Sequence, residues 1–523
     1  MSVLGTAVIG AAKRFGDRPV VVAPDGTLTY AELDRASAVL AAELSARGVG
    51  EGDVVAAILP SGGDWVVIAA AVARAGAVMA GISPVATPPE RAVLLDLVRP
   101  KVVLASPDAV DGLPLRTTVV ALEPGSRGTV LTDDELIHGV LTDGVPIEDG
   151  APTPAEPVDA PNDDDRPSMV CFTSGTTGRP KAALFRERQL RAISLIDLGP
   201  GWEEIWDGGG PMLASTQFAH VGMALKLPWY VRRGVTLHVM ERWRPEPALR
   251  LVAETGMTTI GVVAPQLALM LRSPLVDELD LSAVQAVIAG GAASPPALVR
   301  EAKSRLGVGY SIRYSSTESG GVGIGTAFDA PDAEMFHTVG RPRPGVEIRI
   351  VTDDGLDAEP DVVGELRLRS PAMMDSYLGD PEATDASFDE QGFLRTGDLA
   401  RWSTEPGAEG CIALAGRRTD MYIRGGYNVF PLEVESALGD HPALAGIGIV
   451  ARPDPTMGEI GVAAVVASDP EAIPTLEELR AHGAGRLARH KLPEALVVVD
   501  ALPLTSAQKL DRTALAEMVS SVL

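Results

Sequence analysis

A run of hydroxyl, glycine and lysine residues after an apolar segment is the part of the sequence best suited to binding phosphate groups. The run Thr173-Ser174-Gly175-Thr176-Thr177-Gly178-Arg179-Pro180-Lys181 directly follows the apolar residues 169–172. Glycines let backbone N–H groups approach an anion, hydroxyls donate hydrogen bonds and a lysine adds positive charge. The spacing is not that of a Walker A loop, because Lys181 does not directly follow the second glycine. The run predicts a polyphosphate-binding loop, and its alternative is an ordinary flexible turn.

Two carboxylates stand in settings that suit a nucleotide. Glu318 follows the hydroxyl-rich residues 315–317, and a carboxylate there is the type of ligand that Mg2+ takes when it bridges phosphates. The alternative for Glu318 is a charge at the start of a helix. Asp398 follows a glycine in a predicted turn, where a carboxylate accepts hydrogen bonds from both hydroxyls of a ribose. Without further context, an ordinary turn aspartate is the commoner case.

Five motifs in a fixed order resemble those of the adenylate-forming superfamily, which comprises acyl-CoA synthetases, adenylation domains of peptide synthetases and luciferases. They are the loop at 173–181, Tyr314-Ser315-Ser316-Thr317-Glu318, Thr396-Gly397-Asp398, Gly416-Arg417-Arg418-Thr419-Asp420 continuing to Gly425-Gly426, and Leu502-Pro503 followed by Lys509. One such motif carries little weight. Five in order extend the resemblance over nearly the whole chain.

The resemblance implies ATP or AMP, Mg2+ and coenzyme A as ligands, and a carboxylic acid as the substrate. It places the nucleotide and coenzyme A against Thr173, Ser174, Gly175, Thr176, Thr177, Gly178 and Lys181 (phosphates), Gly290, Gly291, Ala292, Tyr314 and Ser315 (adenine), Asp398 and Arg417 (ribose, with Arg417 on ribose or phosphate), and Gly425 and Gly426 (the pantetheine arm). The expected catalytic residues are Thr317, Glu318, His220 and Lys509, with Glu318 as the metal ligand and His220 at the entrance of the acyl pocket.

Several of these residues have ordinary structural alternatives. Tyr314 is also explained by core packing, His220 by a packed or surface histidine, Arg417 by a solvated linker charge and Lys509 by an exposed tail lysine. Their order along the chain, as part of the motif set, favours the functional interpretation.

The resemblance implies a reaction in two halves. A carboxylate first attacks the α-phosphorus of ATP, and a thiol then attacks the acyl-adenylate, while a small C-terminal domain rotates between the two steps. Lys509 serves the first half and Gly425-Gly426 the second. The family usually has Asp or Lys where this chain has Thr419, and Gly where it has Gln508. Because glutamine resists positive φ, we expect the loop that carries Lys509 to close less readily.

The elements that must position these residues alternate between helix and strand patterns. Thr29 and Glu32 form a capping box before a helical repeat, and Val54–Ile58 is a predicted buried strand. Alternating residues in 346–351 and 365–369 predict an antiparallel sheet, and a second capping box predicts a helix from about 475 to near His490. We therefore expect an α/β protein. It has a large N-terminal domain (1–416, AMP-binding) of layered α/β subdomains with a small antiparallel β subdomain. A small mobile α+β C-terminal cap (417–523) follows.

Composition excludes several other classes of protein. The chain has 523 residues, with 45 Lys and Arg against 70 Asp and Glu, for a net charge of −25. Such an acidic chain is a poor nonspecific ligand for nucleic acid. The longest apolar stretch, Val66–Ala86, is interrupted by Arg74 and Pro84, so no membrane span is expected. Two cysteines without metal or disulfide spacing, and no secretory pattern, predict a cytoplasmic protein.

The leading hypothesis is an acyl-CoA synthetase acting on a bulky or apolar acid in fatty-acid or natural-product metabolism. Three alternatives stay open: a ligase that retains only the thioester half, an adenylating enzyme that loads a carrier protein, and a non-catalytic adenylate-binding protein. An amino-acid substrate is disfavoured, because Ala219 stands where peptide-synthetase domains carry an aspartate. The sequence is compatible with a homodimer.

Overall fold

The computed structural model describes residues 2–110, 118–121, 163–173, 180–292, 294–469, 472–504 and 510–522. The strands, numbered in chain order, are β1 Pro19–Ala23, β2 Gly26–Thr29, β3 Val54–Ile58, β4 Val78–Ile82, β5 Val102–Ala105, β6 Thr118–Ala121, β7 Pro167–Thr173, β8 Lys181–Arg186, β9 Pro211–Leu213, β10 Thr236–His238, β11 Thr259–Val263, β12 Ala286–Gly290, β13 Gly309–Tyr314, β14 Ile324–Gly325, β15 Arg341–Pro342, β16 Glu347–Val351, β17 Gly364–Arg369, β18 Ser376–Tyr377, β19 Leu394–Trp402, β20 Ile412–Arg417, β21 Tyr422–Arg424, β22 Tyr427–Val429, β23 Leu444–Asp454, β24 Gly458–Ala467 and β25 Ala495–Val498. The helices are α1 Val3–Phe15, α2 Tyr30–Ala46, α3 Gly63–Ala75, α4 Pro88–Val98, α5 Pro107–Val110, α6 Glu187–Leu198, α7 Val221–Ala224, α8 Leu227–Arg232, α9 Pro245–Thr255, α10 Ala264–Arg272, α11 Leu275–Glu278, α12 Pro296–Leu306, α13 Asp332–His337, α14 Pro381–Ser387, α15 Pro431–Leu438, α16 Leu476–Gly483 and α17 Arg512–Val522.

The largest sheet carries the strand that leads into the phosphate loop. Its order is β18-β8-β7-β4-β3-β5-β6, with β7, β4, β3, β5 and β6 parallel to one another and β8 antiparallel to β7. β3 and β4 are buried along their whole length, as the continuous apolar run at 54–58 predicts for the centre of a parallel sheet. The predicted capping box at Thr29 and Glu32 begins α2, where each residue bonds the other's backbone N–H.

A second sheet places two more motifs side by side. It runs β11-β12-β13-β14-β15, with β11, β12 and β13 parallel, and Gly290 at the end of β12 pairs with Arg313 of β13. The predicted antiparallel sheet is present as β16-β17-β19-β20, and β17 alternates buried and half-buried residues. A four-stranded sheet β2-β1-β10-β9 completes the N-terminal part. The α/β fold class is confirmed.

The C-terminal part contains its own apolar cores. Strands β21–β25 form one sheet, and two buried clusters draw only on residues between 422 and 519. The boundary between 416 and 417 remains a prediction. The second capping box, at Thr475 and Glu478, is present. The helix after it ends at Gly483 and not near His490, because Ala484 is already extended and Gly485 then adopts a φ of +85°.

In the part of the chain that the structure describes, no helix has both the length and the apolar character needed to cross a bilayer.

Candidate active site

Three predicted site segments lie where strands end. Thr173 ends β7, Gly290 ends β12 and Tyr314 ends β13. Ligands of open α/β sheets bind beyond the carboxyl ends of parallel strands. Thr173 pairs with Lys181 across β7 and β8, so both ends of the phosphate loop are held at one place. The predicted loop residues Ser174, Gly175, Thr176, Thr177 and Gly178 lie outside the described residues.

Tyr314, Asp398 and Arg417 form one hydrogen-bonded group. The hydroxyl of Tyr314 donates to Oδ2 of Asp398 over 2.5 Å, and Nε of Arg417 donates to Oδ1 over 3.0 Å. Burial and the neighbouring Asp398 carboxylate raise the pKa of Tyr314 well above its ordinary value. Burial lowers the pKa of Arg417, but the charge and the hydrogen bond of Asp398, together with the nearby Asp420, outweigh burial and raise this pKa above its ordinary value. The raised pKa values of Tyr314 and Arg417 keep the phenol neutral and the guanidinium charged at neutral pH.

The antiparallel pairing of β19 and β20 explains why Asp398 and Arg417 meet. The two residues are register partners across these strands. Thr396 fixes the backbone before Asp398, because its hydroxyl donates to the carbonyl of Leu366 over 2.6 Å and accepts from the N–H of Asp398 over 3.1 Å. Thus two motifs that are about twenty residues apart converge by strand register alone.

A tight turn carries Thr317 and Glu318. Ser316 and Ser319 bond each other's backbone N–H through their hydroxyls, over 2.9 and 3.1 Å, and the N–H of Gly320 donates to the carbonyl of Thr317. The carbonyl of Glu318 accepts from the N–H of Met374 over 2.8 Å. These bonds fix the backbone from which the Glu318 carboxylate extends.

Tyr377 links this turn to the phosphate strand, and the sequence reasoning missed it. Its hydroxyl donates to Oε1 of Glu318 over 2.8 Å, and Nζ of Lys181 lies 4.7 Å from the centre of its ring. Burial and the Glu318 charge raise the pKa of Tyr377, which keeps the phenol protonated. Tyr377 reaches this place because the short strand β18 pairs with β8. A two-residue strand gives no periodic signal, and the only cue was an aromatic residue within a polar segment.

The predicted adenine-binding segment lies beside β13. An ideal Cβ added at Gly290 would lie 3.3 Å from the carbonyl oxygen of Arg313, so a side chain there would crowd the neighbouring strand. Gly291 and Ala292 follow this strand end, and Ser315 directly follows Tyr314. Strand register thus brings the predicted segments 290–292 and 314–315 next to each other.

His220 lies on the surface at the start of α7. Its Nδ1 accepts a hydrogen bond from the N–H of Gly222 over 3.2 Å, so the histidine caps the helix. Its two preceding residues face inward: Phe218 packs on Trp65 with ring centres 5.7 Å apart, and Ala219 lies against Gly81. The proposed role of His220 at the pocket entrance stays a prediction.

The C-terminal site residues are described only in part. Gly425 and Gly426 form the turn between β21 and β22, and the N–H of Gly425 donates to the carbonyl of Met457 over 2.7 Å. An ideal Cβ at Gly426 has no atom within 4 Å. Lys509 and the preceding Gln508 lie outside the described residues.

Glu318 suits a magnesium ion held mainly by nucleotide phosphates. Among the described residues, no group of three or more His, Cys, Asp or Glu side chains is arranged to hold a metal. Mg2+ usually takes one or two carboxylates together with substrate phosphates, so a single carboxylate fits this chemistry. A carboxylate has about four lone-pair sites, so Glu318 retains acceptor capacity beyond its bond from Tyr377.

Comparison with known proteins shows which family this chain resembles. Residues 10–378 match the family of AMP-binding enzymes, and residues 433–509 match the AMP-binding enzyme C-terminal domain. An indoleacetate–CoA ligase of Aromatoleum aromaticum is 30% identical over 507 residues, covering 95% of this chain and 94% of that protein. A medium-chain fatty-acid–CoA ligase of Escherichia coli is 28% identical over 517 residues, covering 96% and 88%.

A solved structure shares the fold over its full length. The amide bond synthetase of Marinactinospora thermotolerans superposes with a TM-score of 0.83 at 25% identity, covering 99% of both chains. The chain therefore belongs to the family of AMP-binding enzymes, within the adenylate-forming superfamily, and is an acid–thiol ligase of the acyl-CoA synthetase type.

Proposed function

We propose that this enzyme activates a bulky or apolar carboxylic acid with ATP and transfers the acyl group from the resulting acyl-adenylate to coenzyme A. One observation carries the proposal. At the start of β8, Tyr377 contacts both Lys181 and Glu318, and we assign this group to the phosphates. At the end of β13, Tyr314 and Arg417 both bond to Asp398, and we assign this second group to the ribose.

In the first half-reaction, a carboxylate oxygen of the acid attacks the α-phosphorus of ATP, and pyrophosphate leaves. Both reactants are anionic, so positive charge at the phosphates is needed to bring them together. Lys181 and the loop at 173–178 bind the phosphates, and Glu318 would hold Mg2+, which would supply positive charge to neutralise the phosphates. Asp398 accepts hydrogen bonds from the ribose hydroxyls, and the hydrogen bond from Arg417 orients its carboxylate. Lys509 approaches the reacting carboxylate and α-phosphate.

In the second half-reaction, the thiol of coenzyme A loses its proton and attacks the acyl carbonyl. The C–S bond forms, the C–O bond to the phosphate breaks, and AMP leaves. No side chain of the enzyme becomes acylated. We propose that residues 417–523 form a mobile cap that exchanges Lys509 for Gly425-Gly426, whose lack of side chains suits a narrow channel for the pantetheine arm.

The proposed size of the acid rests on a glycine beside the catalytic turn. An ideal Cβ at Gly321 would meet only Val221 and Lys226, at 3.5 Å or more, which supports room for a bulky acyl group. The relatives named above act on an aromatic acid and on a fatty acid, so family membership alone does not select the acid.

A second candidate retains only the thioester half. It is favoured by Thr419 and Gln508, which depart from the family pattern in the hinge and beside Lys509. In the structure, the Thr419 hydroxyl donates to Asp420, whose carboxylate pairs with Arg512 over 3.0 Å. The hinge segment is therefore tied to the C-terminal helix α17.

An acid screen tests the proposal and separates the candidates. The enzyme is supplied with ATP, Mg2+, coenzyme A and a panel of acids, and acyl-CoA is detected by mass spectrometry alongside acid-dependent pyrophosphate exchange. Acyl-CoA with exchange supports the full reaction. Acyl-CoA formed only from supplied acyl-adenylate supports the second candidate. Acylation of a carrier protein in the absence of coenzyme A would show that the carrier protein, and not coenzyme A, is the acyl acceptor. The absence of all three products would refute the proposal.

A further inference from the structure

A half-buried lysine faces the turn that carries Thr317 and Glu318. Cε of Lys226 lies 3.9 Å from the position that a Cβ would occupy at Gly321, and Cγ2 of Val221 lies 3.5 Å from the same position. Lys226 lies immediately before α8, and its side chain is 17% exposed. Because Gly321 has no side chain, the aliphatic stem of Lys226 borders the space beside the proposed acyl site.

The ammonium group of Lys226 belongs to a buried charge cluster. Its Nζ lies 2.9 Å from Oδ2 of Asp197, and the Oδ1 of Asp197 accepts from Arg343 over 2.5 Å. Arg343 also donates to the carbonyl of Ile196 over 3.0 Å. Burial opposes ionisation of Asp197, but the two cations outweigh it and lower the pKa of this carboxyl. Asp197 is therefore an anion shared by two cations.

Two cations, Lys226 and Arg343, pair with the single carboxylate of Asp197 in this region. Burial, followed by the charge of Arg343, lowers the pKa of Arg313 to about 10. The side chains of Asp197, Lys226 and Arg343 are 7%, 17% and 18% exposed. A pocket wall for a purely hydrocarbon acid does not require such a cluster, because burying charge without full compensation is unfavourable. An additional hydrogen-bond acceptor would improve the balance.

We propose that Lys226 determines specificity by binding an acceptor oxygen, a carbonyl or a carboxylate, at the end of the acid remote from its reacting carboxylate. This inference rests on the proposed function and narrows its acid to one that combines a bulky body with a polar far end. Asp197 keeps Arg343 as its partner when the ammonium of Lys226 turns toward a substrate oxygen. The cluster therefore stays compensated in both arrangements.

The test compares acids of equal chain length that differ only at the far end. A straight-chain acid, its ω-1 ketone and its α,ω-dicarboxylate are assayed for kcat/KM of acyl-CoA formation, with wild type, Lys226→Met and Lys226→Arg. Lys303→Met is the control, because Lys303 pairs with Asp332 on the surface, over 3.0 Å, and lies on α12. We expect wild type to prefer at least one polar-ended acid by tenfold or more, which is the effect of one hydrogen bond to a charged group.

Lys226→Met should reduce this preference at least tenfold without changing the KM for ATP. Lys226→Arg should keep part of the preference, and Lys303→Met all of it. The ketone and dicarboxylate arms distinguish a neutral from an anionic far end. The inference is overturned if wild type prefers neither polar-ended acid by tenfold, even if the variants do not fold. It is also overturned if folded Lys226→Met keeps the wild-type ratio of kcat/KM between the polar-ended and the straight-chain acid. Failure of every acid, together with absent pyrophosphate exchange, refutes the proposed function itself.

Discussion

The hydroxyl of Tyr377 donates to Oε1 of Glu318 over 2.8 Å, while the ring of the same tyrosine faces Nζ of Lys181 at 4.7 Å. One side chain thus joins the strand that leaves the phosphate loop to the turn that carries the proposed metal ligand. The pairing of β18 with β8 holds Tyr377 between them. The orientation of the Glu318 side chain consequently depends on a residue that lies 59 positions away in the sequence.

Replacing Tyr377 with phenylalanine should weaken the response to magnesium. The substitution keeps the ring against Lys181 but removes a hydrogen bond to a carboxylate, worth about 1.5–3 kcal/mol. We expect the Mg2+ concentration for half-maximal ATP binding, measured by calorimetry, to rise roughly tenfold, in line with that energy. Tyr427→Phe is the control, because Tyr427 is 58% exposed and stacks on His490 in the C-terminal part. An unchanged Mg2+ requirement would remove the positioning role of Tyr377.

Replacing Asp398 with asparagine should weaken nucleotide binding. Asparagine keeps the size of the side chain, but it lacks the charge that holds Arg417 and accepts from Tyr314. We expect the Kd for ATP to rise by about tenfold to a hundredfold, since bonds to charged groups are worth about 1.5–3 kcal/mol. Tyr314→Phe, which preserves the carboxylate, should have a smaller effect. Equal affinity in Asp398→Asn and wild type would contradict the ribose assignment.

Replacing Lys509 with alanine should separate the two half-reactions. The variant should lose ATP-dependent formation of acyl-adenylate, because the charge that approaches the reacting carboxylate and α-phosphate is gone. Thioester formation from supplied acyl-adenylate should be largely retained. Pyrophosphate exchange and single-turnover acyl-CoA formation measure the two halves separately. Equal loss of both would give Lys509 a different role.

Replacing Gly426 with tryptophan should have the opposite effect. Gly426 has a φ of +86°, so every side chain strains this turn, and Gly426→Ala supplies the matched control for strain. Only the tryptophan adds bulk to the proposed thiol channel. We expect both variants to retain pyrophosphate exchange and Gly426→Trp to transfer acyl groups to coenzyme A much more slowly than Gly426→Ala. Similar transfer rates for the two would exclude a channel at this turn.

The stability contributed by Asp197 should disappear in acid. Burial raises its pKa, but Lys226 and Arg343 outweigh burial and hold the pKa below the ordinary value. The contribution is therefore complete above the unfolded pKa of about 4 and is lost as the pH falls through the lower, folded pKa. Asp197→Asn should lower the free energy of unfolding by about 3–5 kcal/mol at pH 7, because it leaves two cations without their anion.

Denaturant unfolding from pH 7 to pH 3 measures this difference. The gap between Asp197→Asn and wild type should narrow only below about pH 4. Asp353→Asn is the surface control, since Asp353 pairs with Arg418 at a largely exposed site, and its effect should stay below about 1 kcal/mol. A gap that is constant over the whole range would show that Asp197 is not ionised by its partners.

Local sequence patterns located the motifs, but tertiary pairing assembled the site. The apolar run before Thr173 is sufficient to predict a strand, and hence a loop at its carboxyl end. Tyr377 gave no pattern, because its strand has two residues and its partners come from distant segments. The Asp197–Arg343 pair spans 146 positions, which no local period reports. α16 ends earlier than the sequence pattern predicts, because Ala484 is extended and Gly485 has a positive φ.

Gly320 limits the substitutions that the turn carrying Glu318 can accept. A Cβ at this position would lie 2.3 Å from the carbonyl oxygen of Ala372. Two residues earlier, the carbonyl of Glu318 accepts a hydrogen bond from the N–H of Met374. Even one methyl group would push the turn away from the segment that ends in Tyr377. A larger residue at position 320 would therefore displace the carboxylate of Glu318, the proposed Mg2+ ligand. We therefore expect changes of substrate specificity to arise at neighbouring positions, where a larger side chain does not displace this turn.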